Sequence, residues 1–337
     1  MTPSSQNARD RSALGCRNSR SEYVYLLDQL HIEPFLGPLE VNSGFNLDGL
    51  YTQTGNPAGC EPGDHLSLVD DDQNCPSTIN DVCTVAPGCT PSDTGCMGGV
   101  DNQMSRLADA YDNATGLDAR TVLRTRVTTN RLAILVRVAG VDDLVRDPSV
   151  TVQLFRAYPT FTTGCASIVA GREYSIAAGS LRPGVADFRT GALFSRAAQI
   201  VGGRVMVPLD PAAPSEFLFP LAFSPGGTFD LPLHSAMMRF DLSPTSIGAG
   251  SLGGYLDGRD VLAIGPMLVQ HMRGGFESEV PLLVDIQLAG YCGNILPDGG
   301  LPGLGGISVA YGIHGIPATI SPTVPIASAP APGTCGS

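Results

Sequence analysis

The sequence contains no tryptophan and no lysine, so all 20 of its basic residues are arginines. Only 15% of the 337 residues are charged, and the formal net charge is −12. A nucleic-acid-binding protein needs a basic stripe, and the sequence has none, which excludes that class of partner. No apolar run approaches the roughly 18 residues that a membrane-spanning helix requires, so we expect no transmembrane segment.

The first residues lack the apolar core of a signal peptide. Met1–Gly15 contains no such run, although Ala13-Leu14-Gly15-Cys16 resembles a rearranged lipoprotein cleavage box. Export is expected from the cysteines described below, so two alternatives stay open: the export signal is missing from this chain, or its start is set wrongly. Whether Cys16 is lipidated, paired or free also stays open.

Glycine and proline are abundant, with 41 and 27 residues. They separate short apolar segments, as is typical of strands joined by turns. The hydrophobic fraction of 43% is that of a globular protein rather than a disordered one. We therefore predict a mainly β fold, an antiparallel β-sandwich with two or three short helices and a disulfide-rich acidic loop.

The predicted elements follow from the apolar pattern along the chain. Three helices are predicted, at 101–113 with Asp101 as N-cap, at 118–127, and at 259–273 with an interruption at Pro266. The predicted strands are 20–32, 40–47, 131–139, 150–157, 173–178, 192–200, 204–208, 216–223, 227–233, 236–242, 246–256, 280–289 and 306–313.

These elements predict one β-rich domain over residues 20–321. It carries a cysteine-rich acidic insertion at about 60–98. Residues 1–19 are predicted to be a disordered N-terminal segment, and residues 322–337 form a tail rich in proline and alanine.

Nine cysteines are present, and five of them lie between Cys60 and Cys96. This concentration predicts a disulfide framework and therefore an oxidising, exported location. Cys292 and Cys335 are candidates for a bridge that fastens the C-terminal tail. Nine is an odd number, so at least one cysteine is predicted to lack an intramolecular disulfide partner, and Cys165 and Cys16 are the candidates.

The segment 45–104 contains nine acidic residues and no arginine. Carboxylates at this density repel one another unless a cation or water separates them. Asp70, Asp72 and Asn74 occupy alternate positions, as the first ligands of an EF-hand loop do, and Asp81 lies where the closing carboxylate is expected. These residues predict a structural Ca²⁺ site; the alternative is a solvated acidic loop with Asx-turns.

A second calcium cluster is predicted if the two ends of this segment meet. Its ligands would be Asp48, Asp64, Asp101 and Asn102. Zinc is the competing metal, with three cysteines (Cys83, Cys89 and Cys96) and His65 as ligands. The cysteine spacings lack the tight pair of a structural zinc site, so disulfides are the preferred interpretation.

Two resemblances extend these predictions. The stretch from Asp70 to Asn80, Asp-Asp-Asp-Gln-Asn-Cys-Pro-Ser-Thr-Ile-Asn, resembles the core of thrombospondin type 3 repeats. Those repeats wrap calcium with aspartate side chains and fasten the wrap with cysteines. The resemblance implies calcium binding at this stretch.

The second resemblance rests on five motifs spread over most of the chain. They are Arg20-Ser21-Glu22-Tyr23-Val24, Phe45-Asn46-Leu47-Asp48-Gly49, Gly99-Val100-Asp101-Asn102-Gln103, Gly140-Val141-Asp142-Asp143 and Ile307-Ser308-Val309-Ala310-Tyr311-Gly312. Together they are similar to a family of exported bacterial proteins of unknown function, often lipoproteins, from GC-rich genomes. The resemblance implies export and no particular activity.

One pattern points to catalysis. Ala249-Gly250-Ser251-Leu252-Gly253 resembles the nucleophile elbow of α/β-hydrolases, and Asp285 and His314 follow in the chain order of that class. An elbow requires a parallel strand before the serine and a helix after it, whereas this stretch is typical of a glycine-rich hairpin. Glu277 and Glu279 share one face of a predicted strand, as paired carboxylates of a glycosidase would, but a solvated face explains them more simply.

The sequence therefore favours a non-enzymatic exported protein of the cell envelope or surface. Its role would be structural, or it would bind a glycan or another surface protein. Disulfides and calcium would stabilise it. The alternative is a secreted serine hydrolase that uses Ser251, Asp285 and His314. The sequence predicts neither the ligand nor the oligomeric state.

Overall fold

The computed structural model describes residues 21–32, 45, 84–85, 97–98, 102, 104–160, 168–207, 217–224, 227–268 and 306–322. Strands dominate these ranges and the helices are few and short, which confirms the mainly β fold class. No helix of the described ranges is long and apolar enough to cross a membrane.

The elements are numbered in chain order. The strands are β1 (Ser21–His31), β2 (Thr84–Val85), β3 (Met97–Gly98), β4 (Ala133–Val141), β5 (Arg146–Pro159), β6 (Glu173–Ile176), β7 (Phe194–Val201), β8 (Arg204–Val207), β9 (Phe217–Ser224), β10 (Gly227–Ser243), β11 (Ser246–Asp257), β12 (Gly306–Pro317) and β13 (Thr319–Ile320). The helices are α1 (Met104–Thr115), α2 (Ala119–Thr128), α3 (Phe188–Gly191) and α4 (Gly258–Leu268), with a 3-10 turn at Ala178–Ser180.

Most predicted elements in the described ranges are present, although the bounds of several differ from the prediction. The strands predicted at 227–233 and 236–242 are one strand, β10. The helix predicted at 259–273 is present as α4 over Gly258–Leu268 and continues through Pro266, where an interruption was predicted, whereas residues 269–273 lie outside the described residues. Strand β5 starts at Arg146, earlier than predicted. The strands predicted at 40–47 and 280–289 lie outside the described residues, apart from Phe45.

Eight strands pair in a closed ring. Their order is β5-β4-β1-β12-β11-β10-β8-β7, and β7 pairs back onto β5. Every pairing in the ring is antiparallel. Closure leaves these strands without the unpaired edge that an open sheet would expose. Outside the ring, β6 pairs with β5, β13 pairs in parallel with β6, and β9 pairs with the first half of β10.

The predicted sandwich is not confirmed, because the long strands belong to one connected sheet rather than two. Strand β5 joins the strands into one sheet. Its 14 residues are long enough to pair with β4 on one side and with both β6 and β7 on the other.

The main core fills the inside of the ring. Strand β7 shows why: its residues alternate strictly between buried and exposed, so one face points inward. Helices α1 and α2 add Tyr111, Leu123 and Val127 to the same core. Inner side chains come from every ring strand, including Tyr25, Val136, Val152, Ile200, Val205, Phe240, Leu252 and Val309.

A second apolar cluster lies on the outer face of β1, β4 and β5. Leu26, Leu135 and Phe155 point outward there and are covered by Tyr174 and Ile176 of β6. Strand β4 is therefore apolar on both faces, which explains its nearly continuous run Ala-Ile-Leu-Val-Arg-Val-Ala.

Candidate functional site

Described residues before and at the end of the acidic segment contact the same strand, β12. Before it, β1 ends with His31 opposite Gly312 of β12. After it, the side chain of Asn102 bonds to Ala310, two residues away on β12. His31 and Asn102, which lie on either side of most of this segment, therefore contact β12 within two residues of each other.

Asn102 is buried, and its amide mimics a strand pairing with β12. Its Oδ1 accepts the backbone N–H of Ala310 at 3.0 Å, and its Nδ2 donates to the Ala310 carbonyl at 3.5 Å. The same Oδ1 accepts the N–H of Met104 at 3.0 Å, at the start of α1. One side chain thus joins the end of the acidic segment, the first helix and β12.

Phe45 packs on β11, the strand that pairs with β12, opposite the residue that binds Asn102. Its ring covers Gly253 of β11 so closely that a Cβ there would lie 2.7 Å from the ring. The guanidinium of Arg239 lies over the same ring, 4.8 Å from its centroid. Because Gly253 pairs with Ala310, the residue that binds Asn102, Phe45 and Asn102 converge on one strand pair.

His31 completes this surface. Its ring lies over Gly312, where any side chain would collide with it. The strand register aligns Arg239, Ser251, Gly312 and His31 in one row across β10, β11, β12 and β1. We call this surface the anchoring face; it consists of His31, Phe45, Asn102, Arg239, Ser251, Gly253, Ala310 and Gly312.

Of the eight predicted calcium ligands, Asn102 alone belongs to the described residues. Asp48, Asp64, Asp70, Asp72, Asn74, Asp81 and Asp101 lie outside them, so calcium binding stays a prediction. Within the described ranges, no three His, Cys, Asp or Glu side chains form a group that could hold a metal ion. All nine cysteines and His65 also lie outside these ranges, as do Asp285, Glu277 and Glu279.

The described members of the predicted triad are close in the sheet. Ser251 is opposite Gly312, and His314 follows two residues later on the same face. Such diagonal neighbours lie about 7–8 Å apart, within reach of a long side chain. No hydrogen bond joins Ser251 to His314, but His314 Nδ1 lies 2.7 Å from Oδ1 of Asp28 on β1.

The local context of Ser251 is not that of a nucleophile elbow. Ser251 lies inside β11, which is antiparallel to both of its neighbours, and its side chain is largely buried. The predicted hairpin is present, but its turn lies at Ser243–Ser246, and the glycines of 249–253 belong to the strand. Gly250 is needed there because a Cβ would collide with Ile313 and Phe240.

Sequence reasoning missed a polar cluster on the outer face of β4. The guanidinium of Arg137 donates to Glu22 Oε2 at 2.7 Å and to Gln153 Oε1 at 2.6 Å. The Phe188 ring lies between Arg137 and Arg189, whose guanidinium carbons are 5.7 and 4.6 Å from its centroid. Gln153 in turn donates to the Arg189 carbonyl at 3.0 Å, so the cluster fastens α3 to the sheet.

The electrostatics of this cluster follow from its geometry. The hydrogen bond from Arg137 is the main reason that the pKa of Glu22 is lowered, and the positive charges of Arg137 and Arg189 add to the effect. One sequence signal could have located it: Arg137 interrupts the apolar run of β4, and a buried arginine requires an acceptor.

A scan against protein-family models, a search of the curated proteins and a search of the solved structures each found no match to this chain. The resemblances drawn from the sequence therefore stay predictions, and the site is interpreted from its geometry.

Proposed function

We propose that this protein is a non-enzymatic, exported protein of the cell envelope or surface. Its closed ring of strands serves as a rigid body that presents the acidic, cysteine-containing segment, and disulfides and Ca²⁺ stabilise that segment. The presented segment binds a glycan or another surface protein. The observation that supports this proposal is the convergence of Phe45 and Asn102 on the Gly253–Ala310 pair.

The convergence supports the second calcium cluster that the sequence predicts. Asp48 follows Phe45 by three residues, and Asp101 directly precedes Asn102. Three residues of extended chain span at most about 11 Å, so a shared ion bound by both carboxylates is within the reach of the chain from Phe45 and Asn102. Carboxylate and carbonyl oxygens gathered in this way are the ligands that Ca²⁺ prefers.

The described polar groups favour a structural rather than a catalytic role. Asn102 and Arg137, both buried, bind backbone groups or neighbouring side chains and hold elements together. The inside of the ring is filled by apolar side chains. A rigid body of this kind is suited to holding a loop for recognition.

Calcium is tested on the full chain by thermal unfolding after EDTA treatment, with Ca²⁺ or Mg²⁺ added back, together with elemental analysis. A ligand that binds the folded state at 100 times its dissociation constant stabilises it by about 2.7 kcal/mol. We expect Ca²⁺ to raise Tm and the double variant D70N/D72N to reduce that rise. D109N, an exposed acid on α1, is the matched control. Absence of both a Ca²⁺-dependent Tm shift and bound calcium would refute the calcium site.

Disulfides are tested by alkylating the denatured, unreduced protein isolated from an oxidising compartment. We expect only a minority of the nine cysteines to be labelled, and an odd number of them. Labelling of all nine would remove the disulfide part of the proposal.

Partner binding is tested by co-sedimentation of the purified protein with purified cell-wall glycan, with and without EDTA. If the acidic segment carries the binding, EDTA should weaken it, because the segment loses its ordering ion. If neither EDTA nor the double variant D70N/D72N changes glycan binding, another surface of the protein carries the recognition.

A serine hydrolase is the second candidate, and one observation favours it: His314 contacts Asp28 and lies diagonal to Ser251. In this version Asp28 takes the orienting role that the sequence assigned to Asp285. The test is hydrolysis of p-nitrophenyl acetate by the wild type, S251A and H314A. Equal rates for all three would exclude it, whereas a loss of about 10³-fold or more in S251A would support it.

A further inference from the structure

Asn102 lies at the junction between the acidic segment and the ring. The pairing of β1 with β12 ends at His31 and Gly312, and Ala310 lies two residues beyond that point on β12. The Asn102 amide bonds to both the N–H and the carbonyl of Ala310, so it continues this pairing by one position after β1 has ended. Asn102 and Ala310 are 7% and 1% exposed, so the contact is shielded from water.

Both lone pairs of the Asn102 amide oxygen are engaged. An amide oxygen offers two lone pairs. The backbone N–H groups of Ala310 and Met104 donate to this oxygen, each at 3.0 Å. A calcium ion binds oxygen at about 2.3–2.6 Å, so it would have to displace one of these donors. The displaced N–H would be left unsatisfied, because Met104 and Ala310 are both buried.

The same oxygen holds the start of α1. Met104 is the first residue of the helix, and its N–H is bound by Asn102 as the first N–H groups of a helix are bound by a capping side chain. The end of the acidic segment, the first turn of α1 and β12 therefore share one side chain.

We propose that Asn102 is a positioning residue that couples calcium binding at the acidic segment to α1 and β12, and that it is not itself a ligand of the ion. This role rests on the Ca²⁺ site proposed above, with Asp101 as a ligand. One peptide bond joins Asp101 to Asn102, so their Cα atoms lie about 3.8 Å apart. Fixing Asn102 on β12 reduces the conformational freedom that Asp101 loses when it binds an ion, and the affinity rises accordingly. Because such coupling is reciprocal, bound Ca²⁺ strengthens the contacts of Asn102 with Ala310 and Met104.

The first test compares calcium affinity, from isothermal titration, with urea unfolding in EDTA. Each protein is the full chain with D70N/D72N, so that the titration reports the site that contains Asp101. We expect Asn102→Ala to weaken calcium binding at least about tenfold and to lower the urea midpoint in EDTA, because its hydrogen bonds form with or without the ion. Asp101→Ala should weaken calcium binding without lowering the urea midpoint in EDTA. Asn113→Ala, at an exposed position of α1, is the matched control and should resemble its parent in both measurements.

The second test counts the ligands of the ion. Europium(III) replaces calcium, and its luminescence lifetimes in H₂O and D₂O give the number of water molecules on the bound ion. Loss of a protein ligand admits about one more water. We expect this increase in Asp101→Ala and not in Asn102→Ala.

Two results would overturn the coupling while leaving the calcium site intact. An additional water in Asn102→Ala would make its side chain a ligand. An unchanged calcium affinity in Asn102→Ala would make its hydrogen bonds purely structural. If the D70N/D72N parent binds no calcium, the second calcium cluster fails together with the coupling.

Thermal unfolding shows whether each variant is folded. Asn102→Ser provides the measurement if Asn102→Ala does not fold, because the serine hydroxyl still offers an acceptor to one of the two N–H groups. We expect its calcium affinity to lie between those of the parent and Asn102→Ala, and an affinity equal to that of the parent would overturn the coupling.

Discussion

Two fully buried tyrosines differ in how their hydroxyl groups are satisfied. Tyr174 donates to Asn130 Oδ1 at 2.8 Å, and burial raises its pKa to about 12. Tyr311 stacks on Phe219 inside the ring, with ring centroids 4.7 Å apart, and its hydroxyl finds no hydrogen-bond partner among the residues that the structure describes. Burial alone raises the pKa of Tyr311. A buried donor without an acceptor costs free energy, whereas a paired one does not.

This difference predicts opposite effects of the same substitution. Tyr311→Phe removes an unsatisfied hydroxyl and should raise the free energy of unfolding by about 1–3 kcal/mol. Tyr174→Phe leaves Asn130 without its donor and should lower it by a similar amount. Urea unfolding of the two variants provides the measurement. If Tyr311→Phe is as destabilising as Tyr174→Phe, the Tyr311 hydroxyl makes a stabilising hydrogen bond and is not an unsatisfied donor.

Glu22 makes the stability of the polar cluster on β4 dependent on pH. Its pKa is lowered in the folded protein, mainly by the hydrogen bond from Arg137. A carboxyl group with a lowered folded-state pKa contributes stability above its unfolded pKa of about 4.3 and loses it as the pH falls through the folded value. The ionised form is therefore the stabilising one.

We predict that Glu22→Gln lowers stability at pH 6–7, and that its difference from the wild type shrinks as the pH falls below about 4.3. The measurement is Tm or urea unfolding of both proteins from pH 3 to 7. In an Arg137→Met background the pH dependence of the same substitution should be much smaller, because the hydrogen-bond donor is gone and only the charge of Arg189 remains. A difference that grows toward low pH would contradict this assignment.

At the scale of the elements, α2 shows how a local signal begins a helix. Asp118 has an extended backbone and accepts the N–H of Thr121 at 3.0 Å. It also accepts the Thr121 hydroxyl at 2.7 Å. The hydrogen bond from the Thr121 backbone is the main reason that the pKa of Asp118 is lowered. Asp118 is therefore the N-cap of α2, in the region where the sequence predicted a helix at 118–127, and aspartate is a favoured residue at this position.

Removal of this cap should destabilise the protein measurably. We expect Asp118→Ala to lower the free energy of unfolding by about 1 kcal/mol, the usual cost of losing an N-cap. Asp109→Ala, which removes an exposed ion pair with Arg120, should cost less. Chemical unfolding of the two variants compares them directly. Equal losses would mean that the cap contributes no more than a surface charge does.

Strand β10 shows where local signals are insufficient. The sequence predicted two strands here, and the structure joins them through Ser235, whose φ is 50°, beside a register shift between His234 and Met237. The first half pairs with β9, whereas the second half pairs with β8 and β11. Local apolar patterning does not encode which strand a segment pairs with. A bend within one strand and a break between two strands therefore give the same pattern in the sequence.

At the scale of the whole molecule, Asn102 couples the acidic segment to the body across 208 residues of sequence. We predict that Asn102→Ala lowers the free energy of unfolding by about 1–3 kcal/mol, because the N–H groups of Ala310 and Met104 lose their acceptor. The same variant should increase the susceptibility of the acidic segment to limited proteolysis, which provides a second readout.

Asn113, an exposed residue of α1, serves as the control for this prediction. Asn113→Ala should stay within about 0.5 kcal/mol of the wild type, since surface substitutions usually do. If Asn102→Ala behaves like Asn113→Ala in both assays, the acidic segment is held by other contacts.

Much of the architecture could be predicted because it depends on local chemistry. Three kinds of signal each act within a few residues: the alternation in β7, the apolar spacing of helices, and the breaks at glycine and proline. These signals correctly predicted strand-rich structure and the two helices before β4. The concentration of acids and cysteines at 45–104 is likewise a property of the sequence itself.

The closure of the ring, the anchoring face and the Asp28–His314 contact were decided by tertiary structure alone. Asp28 and His314 are 286 residues apart, and they meet because β1 and β12 pair in one particular register. Phe45 and Asn102 likewise converge only because β11 pairs with β12. Residue types and periodicity determine which segments become strands and which face is buried, whereas partner and register depend on packing among segments that are distant in sequence.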